Sequence, residues 1–272
     1  MGLKNIYRFK FGENWKNYVK NFEIDDLSQS SQALAEMLRL DDLRKKTFID
    51  VGSGSGLSSL AAYNLGANVF SFDYDKDAVF ATASLKKKFK IKDQFWSIEQ
   101  GSILDENYIR SLGEFDIVYS WGVLHHTGNM WKSLNNIIGL TKKNGILFIA
   151  IYNNQGWKSK VWWIVKYFYS TLTWPLNNIY AYFVFGLTIF LSFFKNLLLL
   201  RITIFLKSLN YKKNKRGMKI NNDIIDWIGG FPFEYADFQS LKNFFEKQGF
   251  VMINSKQASD LGCHELVFKK LK

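Results

Sequence analysis

The stretch FIDVGSGSGLSSLAAYNLGANVFSFDYD, residues 48–75, sets a short β-rich run against three glycines and closes a second such run on acids. Gly52, Gly54 and Gly56, placed between a strand and a helix, let the backbone turn sharply and let a ligand approach without a Cβ in the way. A dinucleotide turn wants G-x-G-x-x-G, but its third position here is Leu57. A P-loop needs Gly-Lys-Ser/Thr, which is absent. Asp50, two residues before the first glycine, repels a pyrophosphate and suits a ligand that carries an ammonium and a sulfonium. Asp73 ends the second strand 21 residues after Gly52, where its carboxylate can accept hydrogen bonds from both hydroxyls of a ribose. S-adenosylmethionine has all three features.

Working outward, residues 1–46 read as a polar helical segment, with the serines of SQSSQALAEMLRL as N-caps and Leu34, Met37 and Leu38 at helical spacing. TFIDV, NVFSFDYD, FDIVYS and GILFIAIY read as strands, separated by helical stretches that include MWKSLNNIIGLTKK. That alternation predicts a parallel sheet covered by helices over residues 47–155. The pattern lapses over residues 156–222, a hydrophobic and basic helical insertion. It resumes at 223–272 with an amphipathic helix stopped by Gly249 and the strands VMINS and ELVFKK.

The chain resembles the class I S-adenosylmethionine-dependent methyltransferases over most of residues 46–155 and again near its end. DVGSGSG is similar to the family's first motif, EQGSILD to the adenine-contacting segment, and FDIVYSWGVLHHT to the fourth strand with its following loop. LHHT, GILFIAIYN and the closing GF and ELVF look most like the small-molecule members, the ubiquinone and menaquinone methylases above all. The resemblance implies a Rossmann-like, doubly wound α/β sheet of seven strands with the last antiparallel. It also implies a cofactor set of Asp50, Gly52, Ser53, Gly54, Gly56, Asp73, Tyr74, Ser102, Ile103, Ser120 and Trp121, with Ser102 standing where many members carry Asp.

Methyl transfer is an in-line displacement that expels a neutral thioether, so the protein's main task is alignment. An acceptor hydroxyl can also use a base, for which His126 is the first candidate and His125 the second, on the loop after the fourth strand. The competing reading makes one ring a packing element and the other a cap on the helix at Met130. Tyr152, Asn153 and Asn154 follow the fifth strand at the same sheet edge and are candidates for lining the acceptor; the amides equally suit turn backbone. With three histidines and one cysteine, Cys263, in no ligand-like spacing, no metal site is expected.

The net charge of +12 is regional. No acidic residue lies within 117–222, which holds 14 Lys and Arg, while the remainder carries 22 basic against 24 acidic residues. From Tyr167 to Phe194 nothing is charged, but Pro175, Asn177 and Asn178 leave only 16 apolar residues from Ile179 to Phe194, short of the ~20 that span a bilayer. The tryptophans, scattered lysines and basic tail of residues 160–219 suit a segment lying on anionic headgroups. A lid or dimer surface over the acceptor pocket and a true span are the other readings. The expected function is methyl transfer, with oxygen favoured, to a small lipophilic acceptor such as a quinone or a lipid or glycan precursor. The alternative is an RNA or protein methyltransferase using the basic middle. Nucleic acid is disfavoured because the basic residues interrupt aliphatic runs instead of forming a polar groove. The single cysteine and the polar start suggest a cytoplasmic address, with a peripheral seat on the inner face of a membrane.

Overall fold

The computed structural model describes residues 8, 9, 11–199, 201 and 220–271. Seven strands form one sheet in the order β3-β2-β1-β4-β5-β7-β6: β1 Thr47–Val51, β2 Asn68–Asp73, β3 Trp96–Gln100, β4 Phe115–Trp121, β5 Thr141–Tyr152, β6 Phe250–Lys256 and β7 Cys263–Lys270. β1 to β5 pair in parallel, and β7 runs antiparallel to both β5 and β6, as the resemblance implied. Alternate residues feed two cores. Phe48, Tyr119 and Phe148 face the helices α2 (Ile24–Leu38), α3 (Leu57–Asn64) and α4 (Lys76–Lys88). Ile49, Val118 and Ile149 face α5 (Glu106–Ser111), α6 (Met130–Ile138) and α10 (Phe238–Lys247). A sheet covered on both faces explains why β1 reads as a continuous apolar run broken only by Asp50.

The strand order reverses between β1 and β4, which opens a crevice beyond their carboxyl ends. The helix expected from Met130 ends at Ile138, because Thr141 already pairs with Phe115 and draws the chain into β5. Ahead of the sheet, α1 (Gly12–Lys20) lies against α4, with the Gly12 N–H donating to Asp75 and Lys16 paired to Asp77 at 2.5 Å.

The insertion contributes α7 (Trp157–Thr171) and α8 (Leu176–Leu198), followed by α9 (Ile220–Gly229). Tyr169, Ala181, Val184, Ile224 and Ile228 form a third, small core that joins the three. Here the sequence-based expectation of a 16-residue apolar limit fails. Asn177 and Asn178 fall inside the first turn and Lys195 inside the last, so α8 runs 23 residues, about 34 Å. Among the described residues it is the one helix long and apolar enough to cross a membrane, and only 11% of its most apolar window is buried. The basic tail at 212–219 lies outside the described residues.

Candidate active site

At the crevice, β1 delivers Asp50 and the glycine turn, β2 delivers Asp73, and β4 delivers the loop with both histidines. Gly52 takes φ +83°, and a Cβ there would stand 2.4 Å from a methyl of Val123, so no other residue fits the close approach of the two loops. The Gly54 N–H donates to Asp73 Oδ2 at 3.0 Å and the Asp75 N–H to Oδ1 at 2.9 Å, which fixes the carboxylate at the cavity rim. Burial pushes Asp73 up to about 6.

Asp50 is almost wholly buried and receives a directed chain of hydroxyls. Ser59 donates its one hydrogen to Asp50 Oδ2 at 2.6 Å, so Ser71, which accepts the Trp96 indole N–H at 2.8 Å, donates to Ser59 at 2.7 Å. Burial raises the Asp50 pKa to about 7, against the Ser59 bond that lowers it and with help from the Asp73 charge. A buried, half-ionised carboxylate on a cavity wall is an arrangement that a cation completes.

The cavity these groups line has a volume of about 1760 Å³, more than the roughly 300–1,000 Å³ of a site for one drug-sized ligand. It therefore accommodates a cofactor and an acceptor together. Of the sequence candidates, Asp50, Gly52, Ser53, Gly54, Asp73, Tyr74, Ser102, Ile103, Trp121, His126 and Tyr152 line it.

The others do not. Gly56 starts α3, where a Cβ would meet Thr82 at 2.9 Å, so its work is in the turn. Ser120 is buried and donates to the Val51 carbonyl at 2.9 Å, tying β4 to β1. His125 points into the interior, where its Nδ1 accepts the Tyr152 N–H at 3.3 Å and its ring lies 4.0 Å from the Tyr152 ring. Asn153 donates to the Ala258 and Asp260 carbonyls, and Asn154 accepts the Gly156 N–H at 2.9 Å, so both amides serve turn backbone.

His126 is set differently. Its Nδ1 lies 2.6 Å from the Pro232 carbonyl, and since a carbonyl only accepts, the proton sits on Nδ1 and Nε2 keeps its lone pair. Burial, the Lys166 ammonium and Arg8 lower its pKa to about 3, so the ring is neutral throughout the physiological range. Phe11, at 5.0 Å, and Tyr152, at 5.4 Å, flank it, and the Trp227 ring lies 5.8 Å from Tyr152.

Several lining groups were not anticipated. Arg8 donates to the Thr127 carbonyl at 2.7 Å and lies 4.5 Å over the Tyr74 ring, while Trp15 of α1 covers Gly54. Asp226 and Trp227 come from α9, and α8 contributes Phe185, Thr188, Ile189 and Ser192. That last set, spaced i, i+3, i+4 and i+7, was visible as a helical stripe within the greasy run. The aromatic N-terminal positions carried no such periodic signal.

Residues 42–168 match the family model described as "Methyltransferase domain". Residues 42–168 form a methyltransferase domain. The chain is 26% identical over 138 residues to the ubiquinone biosynthesis O-methyltransferase of Pelagibacter ubique, covering 51% of this chain and 50% of that one. It is 28% identical over 108 residues to the enzyme of the same name from Glaesserella parasuis, covering 40% and 46%. The match thus spans about half the length of these curated relatives. Among solved structures, a magnesium protoporphyrin IX methyltransferase from Synechocystis with bound SAH aligns at a TM-score of 0.55 and 12% identity, covering 95% of this chain and 93% of that one. PKMT2 from Rickettsia typhi in complex with AdoHcy aligns at 0.58 and 14%, covering 89% and 54%. At these identities the two structures speak to the fold. The methyltransferase domain's buried acid, open glycine turn and rim carboxylate fit the family's cofactor by their own chemistry.

Proposed function

We propose that the protein transfers a methyl group from S-adenosylmethionine to the hydroxyl of a small, lipophilic, aromatic acceptor. The observation that carries this is a single cavity with two chemistries. Its lining includes Asp50, the glycine turn and Asp73, and also a cluster of rings in mutual contact, Phe11, His126, Tyr152 and Trp227. In this reading Asp50 faces the cationic amino-acid end of the cofactor, Asp73 and Tyr74 the ribose side, and Ser102 and Ile103 the adenine. The cofactor supplies an electrophilic methyl on a sulfonium. The aromatic walls hold a flat acceptor against it, and His126 Nε2 accepts a hydrogen bond from the attacking hydroxyl, which aims its oxygen at the methyl, while Pro232 keeps the ring oriented.

Similarity to the ubiquinone biosynthesis O-methyltransferases supports oxygen as the methylated atom. The apolar outer face of α8, with Ile179, Phe183, Phe190 and Leu198 exposed, and the absence of acidic residues from 117–222 support a peripheral seat on an anionic membrane. Incubation with methyl-labelled cofactor and an alkyl catechol tests the reaction: label is expected at an oxygen of the catechol. A protein that binds the cofactor yet labels only added RNA or protein contradicts the reading.

A further inference from the structure

The helix α8 has two faces with different neighbours. Phe185, Thr188, Ile189 and Ser192 line the cavity, and all four are half-buried, as residues on an open wall are. On the same side, Ala181 and Val184 are buried in the small core with Ile224 and Ile228 of α9. α9 also carries Trp227, whose ring lies 5.8 Å from that of Tyr152. One helix therefore separates α8 from the ring cluster around His126. Ile179, Phe183, Phe190 and Phe194 are exposed. At about 100° per residue, they stand about 160° around the helix from the lining set.

The charge around this outer face says what covers it. α7 adds a second exposed apolar stripe, Trp157, Val161, Ile164 and Phe168, and Trp174 between the two helices is exposed as well. Lys160, Lys195 and Arg201 are exposed beside these stripes in sequence, and no acidic residue lies within 117–222. A twofold contact with a second copy brings the same cations face to face with nothing acidic in that stretch to offset them. Anionic headgroups complement both the cations and the apolar stripes. The turns from Ala181 to Ser192 are committed to the domain, on a wall shared with the Asp226 carboxylate, so α8 does not cross the hydrocarbon.

Resting on the methyl-transfer reading, we propose that α8 lies flat on an anionic bilayer as the partition between lipid and cavity, and that the acceptor is an amphiphile taken up from that bilayer. Its ring sits among Phe11, His126, Tyr152 and Trp227, and its apolar tail runs along Phe185 and Ile189. Passage through water would cost such a tail about fourfold in partition for each methylene. A wall one helix thick, about 10–12 Å, keeps the path short.

The test uses dodecylcatechol in phosphatidylcholine vesicles containing about one third phosphatidylglycerol, beside methylcatechol in solution. The wild-type protein should pellet with these vesicles and methylate the dodecylcatechol they carry. With Phe183→Glu and Phe190→Glu together, the protein should stay in the supernatant, and kcat/KM for vesicle-borne dodecylcatechol should fall at least about tenfold. Methylcatechol turnover and S-adenosylhomocysteine binding should match the wild type. Should that variant fail to bind S-adenosylhomocysteine, Lys160→Glu with Lys195→Glu takes its place and is read the same way. Wild-type protein left in the supernatant, or an equal kcat/KM for wild type and variant on the vesicles, overturns the proposal. So does a wild-type dimer that the substitutions turn into a monomer, since the outer face then belongs to a second copy. Label on neither catechol is instead failure of the methyl-transfer reading, and the proposal falls with it.

Discussion

Replacing Asp50 by Asn keeps the side chain's shape and its bond from Ser59 but removes the buried charge. Burial holds this carboxyl at about 7, against an ordinary 3.8. A raised carboxyl pKa means that the folded state prefers the protonated form. The stability it gives is complete below about pH 4 and is lost as the pH rises through 7. A rise from 3.8 to about 7 corresponds to roughly 4 kcal/mol. Asp50→Asn should therefore leave stability at pH 4 unchanged and, at pH 8, raise it by an amount of that order. For a chain of this size that is a Tm increase on the order of 10 °C. The same change should weaken S-adenosylmethionine binding about ten- to a hundredfold, the usual worth of roughly 1.5–3 kcal/mol for a hydrogen bond to a charged group. For the wild type, affinity should fall as Asp50 protonates below pH 7, by up to about tenfold per step of one in pH, and level off once the ten- to a hundredfold worth of the charge is gone. Urea titrations at the two pH values and calorimetric cofactor titrations measure both effects. An Asn variant no more stable than wild type at pH 8, or one that binds the cofactor equally well, refutes this role for Asp50.

His126→Ala should lower turnover of a phenolic acceptor about tenfold, the worth of one orienting hydrogen bond of roughly 1 kcal/mol, with cofactor affinity unchanged. Because His126 stays neutral down to about pH 3, the wild-type rate should show no histidine limb near pH 6.5, and such a limb in a pH–rate profile counts against the assignment. Ser192→Trp fills the cavity from the α8 side and should raise the acceptor KM at least about tenfold while sparing S-adenosylhomocysteine binding. The protein should pellet with anionic liposomes at low salt and less so at high salt. Recovery in the supernatant regardless of liposomes argues against the membrane seat.

The sheet was legible because its signals are local and one-dimensional. Buried parallel strands read as apolar runs, Gly52 marks a turn that allows no Cβ, and the two acids sit at strand ends. What was not legible depends on direction. His125 and His126 are neighbours of one type, and only the three-residue 3-10 turn they occupy sends one ring inward and the other to the cavity. Ser120 lies between Tyr119 and Trp121, which do line the cavity, yet its hydroxyl turns back to Val51. The extent of α8 exceeds the apolar run because Asn177 and Asn178, read as limits, fall inside its first turn. In a first turn a polar side chain costs little, because the backbone N–H groups there lack helical partners, and Asn177 accepts one of them from Asn178 at 2.8 Å. Arg8, Phe11 and Asp226 are far apart in sequence, and only the fold brings them to one wall.

The measurement that tests the central claim most directly is transfer of radiolabelled methyl from S-adenosylmethionine by the purified protein in a host lysate. The lysate is then partitioned into aqueous, solvent-extractable and macromolecular fractions. A cavity holding cofactor and lipophilic acceptor together predicts label in the solvent-extractable fraction, reduced in Asp50→Asn at a cofactor concentration below its weakened affinity. Label confined to RNA or protein contradicts it.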